Sequence, residues 1–99
     1  MAISRSAQEL LSLIREAVEE ERYEISIHAD NRIEERGMMV WQATSGLREA
    51  TLLEAEPGDR PWPSVLVSQL LPDGTEALAK WSYRSRDGMA RLVTIFYPD

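Results

Sequence analysis

The feature that most constrains the fold is a change in hydrophobic periodicity halfway along the chain. Apolar residues recur at helical spacing over residues 7–21, as they do on a helix with one buried face. From Thr51 onward, apolar and β-branched runs alternate with turn residues, which is the pattern of strands. Helices followed by strands predict an α+β fold, with the N-terminal helices packed on one face of a three- to four-stranded antiparallel sheet.

Capping residues predict where the helices begin and end. Ser6 and Glu9 have the spacing of a capping box, so the first helix is expected to begin directly after Ser6. A short strand that starts at Tyr23 precedes a second helix over residues 29–36, which Gly37 is placed to end. A third, shorter helix is expected before the strands begin.

Turn residues divide the C-terminal half into strands. Pro72 and Gly74 favour a tight turn, and the segment Ser85–Gly88 favours a second one. Three prolines between residues 56 and 63 predict a loop. The expected strands cover Thr51–Ala55, Ser64–Leu71, Thr75–Arg84 and Ala90–Tyr97.

Composition limits the chemistry that the chain can perform. Its 99 residues, 43% of them hydrophobic, are expected to form a single domain spanning 1–99. The chain has no cysteine and one histidine, which argues against thiol chemistry and against a metal site, so no cofactor is expected. No apolar run approaches the roughly 20 residues that span a membrane, and we expect a cytoplasmic protein without a membrane partner.

The charge is unevenly distributed along the chain. A net charge of −6 argues against indiscriminate binding of nucleic acid. Residues 60–99 nevertheless carry five basic and four acidic side chains, and Lys80, Arg84, Arg86 and Arg91 fall within twelve residues. A local basic face on an acidic protein and a solvated surface with scattered charges are both consistent with this pattern.

The only histidine begins a helical stripe of basic residues. His28, Arg32 and Arg36 are spaced four residues apart, so a helix stacks them nearly above one another. A histidine, which titrates near neutral pH, beside two permanent cations suits an anionic ligand such as a phosphodiester. The alternative is structural: the arginines form surface ion pairs with Asp30, Glu34 and Glu35, and His28 caps the helix.

A second group of candidate residues lies on the expected strand Thr75–Arg84. Alternation along a strand places Lys80, Ser82 and Arg84 on one face. Trp81 and Tyr83 then lie on the other face, where Trp81 is expected in the core.

The final strand would extend the same surface. Its alternation predicts that Arg91, Val93, Ile95 and Tyr97 share a face. A sheet with basic side chains and a tyrosine would cradle RNA, whereas an ordinary half-solvated sheet is the structural alternative. Trp62, between two prolines, is expected to anchor a loop or to mark a partner surface.

Several short motifs, taken in order, resemble a bacterial family of small domains of unknown function with a His-Ala-x-x-Arg signature. The matching segments are Arg22-Tyr23, Ser26, His28-Ala29, Arg32, Pro63-Ser64, Ser82-Tyr83 and Leu92–Asp99. They extend over nearly the whole chain. The family is similar to the RelE/ParE-type toxins, including the MqsR-like and BrnT-like branches. This resemblance implies a RelE/ParE-like fold and marks His28, Arg32, Arg36, Ser82 and Tyr83.

The resemblance further implies a toxin-like messenger-RNA endoribonuclease, ribosome-dependent or acting on free RNA, which an antitoxin protein neutralises. Metal-independent phosphodiester cleavage needs groups that move protons and cations that stabilise the charge on the phosphate. We expect His28 and Tyr83 to be the catalytic residues. The expected substrate-binding residues are Arg32, Arg36, Lys80, Ser82 and Arg84.

A catalytically silent protein-binding or regulatory module of the same fold is the alternative interpretation. An enzyme requires that His28 and the arginines share a concave surface with Lys80 or Tyr83. A binding module predicts dispersed charges, a histidine bonded to the backbone, and an exposed apolar patch near Trp41 or Trp62.

Overall fold

A computed structural model describes residues 5–98, in which three α-helices precede four of the five strands. The helices are α1 (Arg5–Glu19), α2 (Ile27–Glu35) and α3 (Val40–Gly46), followed by a 3-10 helix (Leu47–Glu49). The strands are β1 (Tyr23–Ile25), β2 (Thr51–Glu56), β3 (Ser64–Leu70), β4 (Glu76–Arg84) and β5 (Met89–Phe96).

The strands form one mixed sheet in the order β1-β5-β4-β3-β2. The pairs β2–β3, β3–β4 and β4–β5 are antiparallel, whereas β1 lies parallel to β5. The α+β class is therefore confirmed, but the sheet has five strands instead of three to four and is not wholly antiparallel. The reason is that β1 and β5 are distant in sequence, so no hairpin constrains their relative direction.

The helical face of the sheet, which α1 and α3 cover, holds the hydrophobic core. Leu11 and Ile14 of α1 are buried there against the strands. Trp81 of β4 is fully buried on this face, in agreement with its expected place in the core. The core also contains the buried Gln69, which accepts a hydrogen bond from Trp81 Nε1 (3.0 Å) and donates one to the carbonyl oxygen of Ala43 (2.8 Å).

The structure corrects two expectations about helix starts. Ser6 lies inside α1 and therefore does not cap it. The cap of α2 is Ser26 instead of His28, because the Ser26 hydroxyl accepts a hydrogen bond from the Ala29 backbone N–H at 3.0 Å. The same hydroxyl donates to the Val93 carbonyl oxygen at 2.7 Å, which fixes the start of α2 on β5.

A bulge in β5 changes which of its residues share a face. Arg91 lies opposite Ser82, whereas Ile95 lies opposite Ala79, because Val93 is an extra residue in the pairing of β4 with β5. Ile95 is fully buried on the helical face, and Arg91 is exposed on the other face. The single face predicted for the final strand is therefore wrong.

The face opposite the helical face is called the polar face below. The register of the sheet places Ser64, Lys80, Ser82 and Arg91 on it. Among residues 5–98, no helix is long and apolar enough to cross a membrane.

Candidate functional site

A cleft of about 420 Å³ lies on the polar face, between the start of α2, the loop of residues 57–63 and strands β3, β4 and β5. Apolar atoms of Ile27, Pro61, Trp62 and Val93 line part of it. The polar residues that line it are Ser26, His28, Asp59, Arg60, Ser64, Lys80, Ser82 and Arg91.

Hydrogen bonds attach two segments to the sheet at the cleft, the first turn of α2 and the loop of residues 57–63. The Ser26 cap attaches the first turn of α2 to β5, and His28 lies in that turn. The loop is anchored by the Asp59 carboxylate, which accepts hydrogen bonds from the Ser64 hydroxyl (2.7 Å) and the Arg60 backbone N–H (3.0 Å). Because Ser64 is only 1% exposed, this anchor belongs to the floor of the cleft.

An ion pair occupies one side of the cleft. Lys80 Nζ lies 2.8 Å from an Asp59 carboxylate oxygen and 3.7 Å from one of Glu56. Together with the Ser64 hydrogen bond, the Lys80 ammonium lowers the pKa of Asp59 from 3.8 to about 2. The Asp59 carboxylate in turn raises the pKa of Lys80. Both groups stay charged at neutral pH, so Lys80 is a fixed cation and Asp59 is a poor proton acceptor.

Other polar groups in the cleft are free to bind a ligand. Among the described residues, neither the exposed His28 imidazole nor the Arg60 guanidinium has a hydrogen-bond or ion-pair partner. Arg91 has one distant contact, 3.9 Å from Nε to a Glu24 carboxylate oxygen. The cleft therefore offers two guanidinium groups and one imidazole to an anion.

An aromatic ring completes the lining. Trp62 is half-buried in the loop of residues 57–63, and the Arg86 guanidinium lies 5.7 Å from the centre of one of its rings. Indole rings of this kind stack on nucleic acid bases, and a neighbouring arginine reinforces the stacking. The cleft thus combines cations with a stacking surface.

Some of the residues expected in the site do meet in the cleft. His28, Lys80 and Ser82 all line it. Tyr83 does not join them, because strand alternation turns it to the helical face, where its hydroxyl lies near Gly88.

The remaining predicted residues lie outside the lining of the cleft. Arg36 places its guanidinium 5.4 Å from the centre of the Tyr97 ring, and the half-buried Arg32 is not one of the residues that line the cleft. Arg84 binds both oxygens of Asp87, with Nη2 at 2.8 Å, and lies 3.6 Å from Glu24. Of the three residues in the predicted stripe, His28 lines the cleft, whereas Arg32 and Arg36 lie outside its lining.

Sequence reasoning missed the contribution of the loop. Neither Asp59 nor Arg60 is among the residues that the sequence analysis assigned to the site. The signal that would have found them is the segment Asp59-Arg60-Pro61-Trp62, in which an acid, a base and an indole lie between prolines. Local sequence does not reveal, however, that this loop folds over β4.

Comparisons of the chain with family models, with curated proteins and with solved structures found no match. Within residues 5–98, no three His, Cys, Asp or Glu side chains are grouped so that they would hold a metal ion.

Proposed function

We propose that this chain is a toxin-like messenger-RNA endoribonuclease, and that its cleft binds and cleaves single-stranded RNA. One observation carries the proposal: the His28 imidazole, which has no partner among residues 5–98, shares the cleft with Arg60, Arg91 and Lys80. The RelE/ParE-like character of the fold and an antitoxin partner belong to the same proposal and rest on the motif resemblance.

The reaction proposed is a metal-independent transesterification within the RNA strand. His28 takes the proton from a 2′-hydroxyl, whose oxygen attacks the adjacent phosphorus. The bond from phosphorus to the 5′-oxygen breaks, and the leaving oxygen takes a proton from water in the open cleft. The products are a 2′,3′-cyclic phosphate and a 5′-hydroxyl end. Arg60, Arg91 and the fixed cation Lys80 stabilise the extra negative charge on the phosphate.

The residues that line the cleft favour single-stranded RNA over a duplex. Proteins read single strands by stacking splayed bases on aromatic rings and by holding the backbone with cations. Trp62 supplies a ring beside Arg60, so a base and its phosphate would be bound by neighbouring residues of one loop. Because the net charge of the chain is −6, binding of RNA depends on this local group of cations and involves only a short stretch of the strand.

The proposal is tested by inducible expression in bacteria with mapping of RNA 5′ ends. The wild type is expected to arrest growth and to produce new 5′-hydroxyl ends. Loss of the proton acceptor in His28→Ala should lower the cleavage rate about 100-fold or more. Arg60→Ala should also lower it, because the phosphate loses a charged hydrogen-bond donor.

The matched control is Arg48→Ala, which removes an exposed arginine outside the lining of the cleft. Its cleavage is expected to equal that of the wild type. Cleavage that survives in folded His28→Ala protein, or well-expressed wild type that makes no new ends, would contradict the proposal.

A catalytically silent binding module is the second candidate function. It is favoured by the pairing of Lys80 with Asp59 and of Arg84 with Asp87, which leaves few cations free. For this candidate the same expression experiment yields no new RNA ends in the wild type or in either cleft variant.

A further inference from the structure

Of the three serine hydroxyls in the cleft, two are occupied and one is free. Ser26, Ser64 and Ser82 all line the cleft, with exposed fractions of 7%, 1% and 7%. The Ser26 hydroxyl donates to the Val93 carbonyl oxygen, and the Ser64 hydroxyl donates to the Asp59 carboxylate. The Ser82 hydroxyl has no hydrogen-bond partner among residues 5–98.

The Ser82 hydroxyl opens into the cleft although the residue as a whole is buried. In the described part of the chain, no side-chain nitrogen or oxygen atom is both shut off from solvent and without a hydrogen-bond partner. The Ser82 hydroxyl must therefore reach the surface, and the cleft is the surface that Ser82 lines. A polar group that is nine-tenths buried costs free energy when it has no partner, so this hydroxyl points to a ligand.

The two neighbours of Ser82 across the sheet differ in charge. Ser64 lies opposite it on β3, and its hydroxyl is bound to Asp59. Arg91 lies opposite it on β5, and the guanidinium has only the 3.9 Å contact with Glu24. Because side chains of paired residues are neighbours on one face of a sheet, a free hydroxyl donor and a free guanidinium donor lie side by side.

The Asp59 carboxylate does not repel an anion from this place. Lys80 Nζ lies 2.8 Å from it, and it also accepts hydrogen bonds from Ser64 and from the Arg60 backbone N–H. Its charge is therefore neutralised by its neighbours. The Arg60 guanidinium and the His28 imidazole, which have no partner among the described residues, also line the cleft and favour an anion.

We propose that the floor of the cleft binds one phosphate group, to which the Ser82 hydroxyl and the Arg91 guanidinium donate hydrogen bonds. Hydrogen bonds to an anion are stronger than those to a neutral acceptor, so a phosphate makes the best use of both donors. The cleft, of about 420 Å³, has the size of sites for small ligands, about 300–1,000 Å³, such as a nucleoside monophosphate. This inference rests on the proposed function for the source of the phosphate, which is the RNA strand.

The test is a titration of isotope-labelled protein with inorganic phosphate, with uridine 3′-phosphate and with uridine, followed by NMR. The amide shifts of Ser82 and Arg91 are expected to change with both phosphates and to stay constant with uridine. Uridine 3′-phosphate should bind more tightly than inorganic phosphate, because its base stacks on Trp62. Equal affinities would contradict the assignment of this phosphate to an RNA strand.

Substitutions then identify the donors. Ser82→Ala should weaken the binding of uridine 3′-phosphate about tenfold, since a hydrogen bond to a charged group is lost. Arg91→Gln should weaken it about tenfold or more, because the guanidinium charge is lost as well. The matched control is Ser68→Ala, which removes a serine hydroxyl on β3 outside the lining of the cleft and should bind as the wild type does. Circular dichroism of each variant reports whether it is folded.

Equal affinity of the wild type and folded Ser82→Ala for uridine 3′-phosphate overturns the inference, as does a shift of the Ser82 amide that uridine alone reproduces. The proposed function fails separately. Phosphate binding that depends on Ser82, in a wild type that cleaves no RNA, refutes the ribonuclease and upholds the phosphate site. RNA cleavage by a wild type whose phosphate binding does not depend on Ser82 refutes only the inference.

Discussion

The helices α2 and α1 end in the same backbone conformation, but with different residues. In α2, Gly37 has a φ of 68°, and the N–H of Met38 bonds to the carbonyl oxygen of Ile33 at 2.9 Å. In α1, Glu21 has a φ of 61°, and the N–H of Arg22 bonds to the equivalent carbonyl oxygen at 2.7 Å. Both ends are Schellman motifs, in which glycine is the usual left-handed residue.

The comparison separates a helix end that follows the rule for stability from one that does not. The end of α2 has the glycine that this motif favours, whereas the end of α1 has a glutamate, whose side chain makes the left-handed conformation costly. Two concave regions, one on each side of the sheet, differ in charge: the cleft brings His28, Arg60, Lys80 and Arg91 together with the Asp59 carboxylate, whereas the region beside the end of α1 combines Arg15 and Arg48 with Glu19 and Glu21. Of these two regions, only the cleft has an excess of positive charge, which supports the proposal that it takes an anionic ligand.

The largest expected effect on stability concerns the buried hydrogen bonds of Gln69 on the helical face of the sheet. Gln69→Leu leaves the buried Trp81 indole N–H and the Ala43 carbonyl oxygen without their partner. We expect the free energy of unfolding in urea to fall by about 2–4 kcal/mol, because each unsatisfied group is costly. Leu70→Gln, at the neighbouring and exposed position, should change it by less than about 0.5 kcal/mol. Equal effects of the two substitutions would show that this polar network does not support the helical side.

The two helix ends should respond in opposite directions to exchange of their left-handed residues. Gly37→Ala should lower the free energy of unfolding by about 1 kcal/mol, and Glu21→Gly should raise it by about 1 kcal/mol. A Cβ at position 37 meets no atom within 4 Å, so the backbone conformation alone decides that value. Thermal or urea unfolding measures both. A neutral or destabilising effect of Glu21→Gly would contradict the cost assigned to the left-handed conformation of Glu21.

The ion pair in the cleft predicts a pH dependence of stability. Lys80 and Ser64 hold the pKa of Asp59 at about 2 in the folded chain, compared with 3.8 ordinarily. The unfolded chain therefore binds this proton at the higher pH, and the stabilisation is complete above about pH 3.8 and declines as the pH falls towards 2. In urea unfolding, the advantage of the wild type over Asp59→Asn should shrink over that interval. A difference that is constant with pH would refute the assignment.

The smallest effects on stability are expected at the binding groups of the cleft. His28→Ala and Arg60→Ala remove exposed side chains without partners among the described residues, so each should change the free energy of unfolding by less than about 0.5 kcal/mol. Urea unfolding measures this change. A larger loss in either variant would mean that the side chain serves the fold, and a loss of RNA cleavage there would no longer report on the site.

Periodicity predicted the elements of the fold well, since helical and alternating patterns follow directly from which face is buried. The parallel pairing of β1 and the bulge at Val93 were not predictable, because both depend on contacts between distant segments. The capping role of Ser26 was missed because His28, two residues later, was taken as the residue that caps the helix.

The candidate site was predictable only where it lies on regular elements. Strand alternation correctly grouped Lys80 with Ser82, and it also placed Tyr83 on the opposite face. Tyr83 entered the expected site through the family resemblance, against that alternation. Arg60 was missed, and Trp62 was expected only as a loop anchor or a partner surface, because a loop carries no periodicity that would show which surface it covers.

The most direct test of the two-sided account is a titration of isotope-labelled protein with a short single-stranded RNA, followed by NMR. We predict that amide shifts change around His28, Arg60 and Ser82, and that those around Trp41 and Glu21 stay constant. Shift changes confined to the surroundings of Trp41 and Glu21, or no changes at all, would contradict the assignment of the cleft as the RNA site.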